Sequence, residues 1–276
     1  MCVKCEPTRR GLMRLAMGGA AAAIAVSGAA PRAWAAEHRR TFSRHIKPLI
    51  MLDPGHGGID PGAIAPDGIF EKHITLSSAL ELRQELERTG RYRVAMTRVH
   101  DVYVALDKRV ADAVAQKADL FLSLHCDHLP EANLRGASMF TLSNDATDAL
   151  AASVAQDENS DDGPTGFMAG APPQVANILA SLETRATKIS SLNLAQDLHA
   201  SFKGLIPMLP DPTRAANFAV LRDPSTPAAL LEMGCLTNPL DERRLRNPVQ
   251  RRQLAERITL AINTYFDNEA QQRMAG

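Results

Sequence analysis

The sequence lacks the features that mark several large classes of protein. It has no excess of basic residues, because 31 Lys and Arg balance 31 Asp and Glu, so it offers no cationic face for nucleic acid. It has four cysteines, and the two outside the first 35 residues, Cys126 and Cys235, are too few for a disulfide framework. It contains no internal repeat. The remaining composition, 45% hydrophobic and 22% charged, is typical of a globular chain and favours one domain.

The first 35 residues have the pattern of an export signal rather than of a folded segment. Arg9 and Arg10 precede an Ala- and Gly-rich apolar run, and Ala33-Trp34-Ala35 offers a small-x-small cleavage site. The paired arginines indicate the twin-arginine route. Cleavage removes five positive charges and one negative charge, which takes the net charge from 0 to −4. We expect a periplasmic chain with no stable membrane insertion; an uncleaved membrane anchor is the alternative.

Hydrophobic periodicity in the rest of the chain predicts an α/β fold. A polar leader at residues 36–46 is followed by a strand at about 48–53, a helix from Glu71 to Gly90, a strand at 93–97, a helix near 106–114 and a strand at 119–124 that ends at His125. Further strands are predicted at 136–142, 218–221 and 228–232, with helices at about 194–205 and from Asn247-Pro248 onward. This alternation implies right-handed crossovers and a mostly parallel central sheet flanked by helices.

Residues 143–187 interrupt this pattern. They carry an acidic cluster followed by the sequence GPTGFMAGAPP, and a segment of this length inside a compact domain is commonly a functional lid. Its first half, residues 146–158, has a helical pattern with Ala149, Leu150, Ser153 and Val154 on one face. We therefore predict a single domain at residues 47–267 that contains a regulatory helical insertion at 143–187 and is followed by a tail at 268–276.

Polar residues that bind metals or move protons lie where the predicted strands end. His56 follows the first strand, His125 ends the strand FLSLH, Glu232 ends the strand AALLE, and Glu71 stands before a helix. In a parallel sheet such strand ends converge. Two imidazoles and one carboxylate suit a catalytic zinc ion, and a second carboxylate suits a general base. The spacing alone leaves open which Glu has which role, and it also leaves open a set of ordinary polar surface residues, caps and ion-pair partners.

Other polar residues have weaker claims to a site. Cys126 points away from His125 on a strand, which favours a small packed thiol over a metal ligand. Three aspartates are candidates to hydrogen-bond the histidines, although aspartate near a turn commonly serves the turn itself: Asp53, Asp60 and Asp127. Four histidines are expected at the surface or in structural positions: His73, His100, His128 and His199.

Several motifs together resemble one enzyme family. LDPGHGGIDPGA, Glu71 before a helix, SLHCD, NFAVLRDPSTPAALLE and LLEMGCLTN are similar to the zinc-dependent N-acetylmuramoyl-L-alanine amidases of bacterial cell division, over about residues 47–267. The resemblance implies a mostly parallel sheet flanked by helices. It implies zinc bound by His56, Glu71 and His125, with Glu232 as the catalytic carboxylate. The implied reaction is hydrolysis of the amide between N-acetylmuramic acid and L-alanine in peptidoglycan, during wall remodelling and daughter-cell separation.

The chain departs from that family in a few places. Cys126 stands where the family usually has Ala, and Cys235 where it commonly has an apolar residue. The sequence shows no N-terminal wall-targeting domain of the kind some relatives carry. Arg214 either holds a carboxylate of the stem peptide or is a solvated surface residue. Two other functions stay open: a zinc hydrolase for another acyl-amide or peptide bond, and a non-catalytic peptidoglycan-binding protein, against which the intact set of four residues speaks.

The resemblance also implies regulation. Related division amidases carry a helix that occludes the zinc and is released by a LytM-domain activator protein. The segment AQDEN is similar to that helix, so we predict that Glu158 fills the open position of the zinc, with Asp157 and Glu183 as weaker candidates. A solvated acidic surface loop is the alternative. We expect a monomer.

Overall fold

The computed structural model describes residues 47–131, 133–160 and 177–275, without the side chains of residues 177–184 and 275. The predicted export signal at residues 1–35 and the leader at 36–46 lie outside the described residues. So do most of the acidic and Gly-rich part of the insertion and the side chain of Glu183. Within the described part, no helix combines the length and the apolar character that crossing a bilayer requires.

Strands and helices alternate from Leu49 onward. The elements in chain order are β1 (Leu49–Pro54), α1 (Glu71–Arg88), β2 (Arg93–Met96), α2 (Leu106–Gln116), β3 (Leu120–Asp127), β4 (Ala137–Leu142), α3 (Ala149–Asn159), α4 (Asn177–Phe202), β5 (Met208–Ala216), a 3-10 turn (Ala219–Leu221), β6 (Ala228–Cys235), α5 (Pro239–Arg246) and α6 (Pro248–Ala275).

The strands form one six-stranded sheet in the order β2-β1-β3-β6-β4-β5. All neighbouring strands are parallel except β4 and β6, which are antiparallel. The central strands β1, β3 and β6 are buried along their whole length, because helices cover both faces of the sheet. The predicted α/β class, with a mostly parallel sheet flanked by helices, is confirmed.

Each face of the sheet has its own hydrophobic cluster. Leu122 and Leu231 pack on one face with residues of α1, α4 and α6. Phe140 and Leu230 pack on the other face with residues of α3. Alternation along β3 places Cys126 in the first cluster, on the face opposite to that of His125, as the strand pattern predicts. The second face, covered by α3, therefore carries the polar strand-end residues.

The structure corrects several predicted boundaries. Residues 218–221 do not form a strand; the 3-10 turn there is held by Asn159, whose side chain bonds Asn217 and Ala219. The strand in this part of the chain is β5, which lies at the edge of the sheet. Its sequence MLPDPTRAA contains two prolines, so it lacks the apolar alternation by which a strand is predicted. Helix α4 begins at Asn177 rather than near residue 194. The sequence pattern did not predict this first part of the helix, because residues 185–190 are largely exposed and carry little apolar periodicity. Helix α6 continues through residues 268–275, the predicted tail, and α5 was not predicted.

Candidate metal centre

The carboxyl-terminal ends of β1, β3 and β6 lie side by side at one end of the sheet. These strands are neighbours, and the register pairs His125 of β3 directly with Glu232 of β6. Residues paired across adjacent strands point to the same face, so both side chains lie on the face that α3 covers. His56 stands two residues after β1 and brings its ring to within 4.9 Å of the His125 ring, centroid to centroid. The predicted convergence of strand ends is therefore present.

The loop after β1 is built around the backbone conformation of His56. Its φ is 60°, a left-handed conformation that few residues other than Gly and Asn adopt. Gly55 allows this loop to approach β3, because a Cβ at that position would lie 2.3 Å from the His125 ring. Gly62, where the loop turns back toward α1, allows the backbone to pass close to His56, because a Cβ there would lie 2.5 Å from the His56 ring. The glycine-rich sequence thus permits two imidazoles to meet in a buried place.

Four side chains bring one donor atom each to a common point: His56, Glu71, His125 and Glu158. His56 Nε2 lies 3.0 Å from Glu71 Oε2 and 3.6 Å from Glu158 Oε2. His125 Nδ1 lies 3.3 Å from Glu71 Oε1 and 2.7 Å from Glu158 Oε2. The two imidazole nitrogens are 3.2 Å apart. Glu71 belongs to this cluster and Glu232 does not, so the geometry distinguishes the positions of the two glutamates.

The donor set fits a metal ion. Zinc binds imidazole nitrogen and carboxylate oxygen in a tetrahedron at about 2.0–2.2 Å, which separates the donor atoms by about 3.3–3.6 Å. The four donor atoms here all lie within 4.8 Å of one another, and the two ring nitrogens, 3.2 Å apart, are near that range. Asp60 Oδ2 lies 2.9 Å from His56 Nδ1 and thereby keeps Nε2 directed into the cluster. The carboxylate of Glu71 is fixed in turn by the backbone N–H groups of Ala63 and Cys126.

Electrostatics at the cluster also favour a cation. Burial lowers the pKa of His125, but the carboxylates of Glu158 and Glu71 outweigh this effect and raise that pKa to about 10. Burial likewise opposes ionisation of Glu71, and the two histidines hold its pKa well below the usual value. The buried carboxylates of the cluster therefore favour a positive charge beside the two imidazole rings. A divalent ion would satisfy the same demand with both rings neutral.

Glu232 lies beside the cluster and stands out for its burial. It is fully buried, and neither carboxylate oxygen has a hydrogen-bond partner among the described residues. Burial and the nearby carboxylate of Asp127 raise its pKa. Burial is also the main cause that raises the pKa of Asp127 to about 8. Buried polar groups are normally hydrogen-bonded, so this carboxyl group has the capacity to bond a ligand or a water molecule.

The three aspartates that the sequence offered as histidine partners have different positions. Asp60 is the partner of His56. Asp53 instead accepts hydrogen bonds from Arg109, Thr97 and Ser123 and supports the base of the loop. Asp127 lies beside Glu232, with the Ser138 hydroxyl 3.5 Å away. The other histidines that the structure describes stand outside the cluster, although His128 lines the adjoining cavity: His73, His100, His128 and His199.

Two buried arginines support the His56 loop, and the sequence reasoning missed both. Arg109 donates to the carbonyl oxygens of Pro54 and His56 and to Asp53. Arg98 donates to the carbonyl oxygens of Pro54 and Gly55. These contacts satisfy backbone oxygens that the irregular loop leaves without ladder partners. The available signal was an arginine in α2 that stands three residues after the apolar run YVAL, at a position where an amphipathic helix would place a core residue.

Replacing Arg109 should destabilise the fold. Burial raises the pKa of Asp53, but Arg109, Thr97 and Ser123 together hold it below its usual value, so the pair stabilises the folded chain above about pH 4 and less at lower pH. We expect Arg109→Gln to reduce the free energy of unfolding by about 3–5 kcal/mol, because Asp53 stays buried without its charge partner. Urea unfolding at pH 7 measures this.

The control for that change is Lys108→Gln. Lys108 is exposed on the same helix and pairs with Asp112 at the surface. An exposed pair contributes about 0–1 kcal/mol. Equal losses in the two variants would contradict the role of Arg109 as the support of the loop.

Helix α3 closes over the cluster. Ala151, Val154 and Ala155 pack it onto the sheet, and Glu158 near its end supplies the fourth donor atom. Its neighbour Asp157 lines the adjoining cavity of about 630 Å³ but is not part of the cluster. Of the two predicted acidic residues whose side chains the structure describes, Glu158 lies at the histidines and Asp157 does not.

Comparison with known proteins identifies the family. A family model described as N-acetylmuramoyl-L-alanine amidase matches residues 50–264. The chain belongs to this family. Over 228 residues it is 37% identical to the N-acetylmuramoyl-L-alanine amidase AmiC of Neisseria meningitidis, a match that covers 82% of this chain and 55% of that protein. Over 256 residues it is 35% identical to AmiA of Salmonella typhimurium, covering 89% of this chain and 88% of that protein.

A solved structure of the family has a similar fold. The catalytic domain of the amidase CwlV from Bacillus (Paenibacillus) polymyxa superposes with a TM-score of 0.56 at 22% identity, over 80% of this chain and 98% of that domain. The chain spans about half the length of some of its relatives, such as the Neisseria protein, and nearly the whole length of others. Family membership was predicted from the motifs and is confirmed.

Proposed function

We propose that this chain is an exported zinc-dependent N-acetylmuramoyl-L-alanine amidase that cleaves the amide between N-acetylmuramic acid and L-alanine in peptidoglycan. The proposal assigns residues 47–267 to the catalytic domain, residues 143–187 to a regulatory insertion, and the enzyme to cell-wall remodelling and daughter-cell separation as a monomer. The observation that carries it is the meeting of His56, Glu71 and His125 beside an unpaired buried Glu232, in a chain of this family.

The proposed roles follow the geometry of the cluster. His56, Glu71 and His125 would hold the zinc ion, while Asp60 keeps His56 in the tautomer that turns Nε2 to the metal. Bound there, zinc would polarise the scissile carbonyl and acidify water. Glu232 accepts the proton of the attacking water and returns it to the leaving amine of L-alanine. Burial and the carboxylate of Asp127 raise the pKa of Glu232, which favours the protonated form that the leaving amine needs.

Product analysis on purified sacculi tests this function. An amidase releases stem peptides that begin with L-alanine. Shorter peptides would instead indicate a peptidase, and retention of the protein on sacculi without release would indicate a non-catalytic binding protein. The two latter outcomes would each replace the proposed function.

The metal assignment predicts the effect of a ligand change. His56→Ala should remove both bound zinc and activity, because three protein ligands are the minimum of a catalytic zinc site. The measurement is metal content by mass spectrometry beside hydrolysis of sacculi. His73→Ala is the control, since His73 lies outside the cluster and its side chain is 55% exposed. Stoichiometric zinc with normal turnover in His56→Ala would overturn the assignment.

We also propose that α3 holds the enzyme inactive until a LytM-domain activator protein releases it. What supports this is the Glu158 carboxylate, which lies 2.7 Å from His125 and 3.6 Å from His56, where it would compete with substrate and water. A closed state favoured by about 3 kcal/mol leaves fewer than about one molecule in a hundred open, and a partner must supply a comparable difference in affinity.

The export route is the remaining part of the proposal. Replacing both Arg9 and Arg10 by Lys should prevent accumulation of the protein in the periplasm, because the twin-arginine route requires the paired arginines. Fractionation of cells measures this, and mass spectrometry of the exported N-terminus tests cleavage after Ala35. Undiminished and correctly processed export would argue for another route.

A further inference from the structure

Helix α3 carries a carboxylate at both ends, and each carboxylate lies against a cationic or metal-binding group of the sheet. Glu158, near the end of the helix, lies at the two histidines. Asp148, at its start, has its Oδ2 2.9 Å from Nε of Arg214 in β5. The other oxygen of Asp148 accepts the backbone N–H of Ala151 and so caps the helix. One segment of this chain thus occupies two charged positions on the sheet at once.

Arg214 has more donors than its surroundings satisfy. The side chain is 8% exposed, although it pairs with an Asp148 side chain that is 42% exposed. Its Nη2 donates to the carbonyl oxygen of Pro210, while Nη1 is buried without a partner among the described residues. Arg214 pairs in register with Phe140, which packs on the face covered by α3. If α3 moves away, the guanidinium can bind a carboxylate through two parallel N–H donors, in the bidentate geometry that arginine favours.

We propose that Arg214 is the anchor for a carboxylate of the stem peptide, and that Asp148 occupies it in the closed chain as an internal substitute for that carboxylate. This rests on the proposed amidase function and names a binding residue for the same site. Helix α3 then excludes substrate at two points, Glu158 at the metal ligands and Asp148 at Arg214.

The helix also fixes the distance that the substrate must span. Asp148 and Glu158 are ten residues apart, which corresponds to about 15 Å along an α-helix. An extended peptide advances about 3.3–3.6 Å per residue. The carboxylate bound by Arg214 therefore lies about four residues from the reacting carbonyl. The ligand is an acidic peptide of that length, attached through its L-alanine to the muramyl group.

Kinetics with a matched pair of substrates test the anchor. The probes are muramyl-L-Ala-D-isoglutaminyl-L-Lys-D-Ala, whose peptide has a carboxylate only at its C-terminus, and the same compound as its C-terminal amide. The enzyme is the zinc-loaded mature chain with Glu158→Ala. We expect the amide to have a kcat/KM about tenfold lower, the usual scale of a charge-assisted contact. Arg214→Gln should lower turnover of the acid and abolish this difference, and Arg214→Lys should restore part of it. A difference that persists in Arg214→Gln, or is absent in its parent, overturns the proposal.

Equilibrium binding separates an anchor from a merely structural ion pair. Calorimetry with the free tetrapeptide is done on chains that keep Glu158. Asp148→Asn retains a capping oxygen but frees Arg214, so it should bind the peptide more tightly, whereas Arg214→Gln should bind it more weakly. If the ion pair were merely structural, both substitutions would change the affinity for the peptide in the same direction. That outcome would refute the anchor. If neither substrate is hydrolysed in the Glu158→Ala chain, the amidase proposal fails, while opposite shifts in calorimetry would still establish Arg214 as a carboxylate site.

Discussion

Glu232→Gln is expected to lower the rate of sacculus hydrolysis by about 10²–10⁴-fold while zinc stays bound, which is the usual contribution of a general acid and base. The carboxyl group is buried beside the cluster, has no hydrogen-bond partner among the described residues and is not one of the clustered donors, so its removal should take away the proposed proton acceptor and no metal ligand. Gln has nearly the same shape and keeps the packing of β6. The measurement is turnover per bound zinc, with metal content determined on the same sample.

Glu71→Gln provides the matched contrast. Glu71 lies within the donor cluster, 3.0 Å from His56 and 3.3 Å from His125, so the amide should weaken zinc binding first and activity as a consequence. Excess zinc should then restore part of the activity of Glu71→Gln and none of that of Glu232→Gln. Zinc loss confined to Glu232→Gln would show that the two glutamates have exchanged roles.

The residues of the cluster could be predicted because a parallel sheet brings distant strand ends together. His56 and His125 follow apolar runs that read as buried strands, and those strands are neighbours in the sheet. The choice between Glu71 and Glu232 could not be made from spacing, since both stand at element ends. It depends on the loop that returns Glu71 under His56, a tertiary feature that the family resemblance supplied and local pattern did not.

Other parts were hidden for physical reasons. The role of Arg109 depends on carbonyl oxygens of Pro54 and His56 that an irregular loop exposes, and no sequence period encodes an unpaired carbonyl. Strand β5 was missed because it lies at the edge of the sheet, where prolines and exposed residues are tolerated. For Arg214 in that strand, the sequence left two alternatives open: a solvated surface residue or a residue that binds a carboxylate. Its side chain is buried, which excludes the solvated surface position.

Glu158→Ala should raise hydrolysis of sacculi without any activator. The carboxylate oxygen lies 2.7 Å from His125 and 3.6 Å from His56, so it competes with water and substrate for the same position. If the closed state is favoured by about 3 kcal/mol, releasing it can raise basal turnover by up to about 100-fold. Addition of an activating partner should then have little further effect. The measurement is release of peptides beginning with L-alanine from purified sacculi, with zinc content and thermal unfolding recorded for each variant.

Asp157→Ala is the matched control, because Asp157 precedes Glu158 on α3 and lines the cavity without joining the donor cluster. It removes the same charge from the same turn of helix, so a general loss of negative charge would affect both variants equally. We expect basal turnover close to that of the parent for Asp157→Ala and a large rise only for Glu158→Ala. If both variants are folded and zinc-loaded yet no more active than the parent, α3 does not inhibit the enzyme, and the contact of Glu158 with the histidines is only structural.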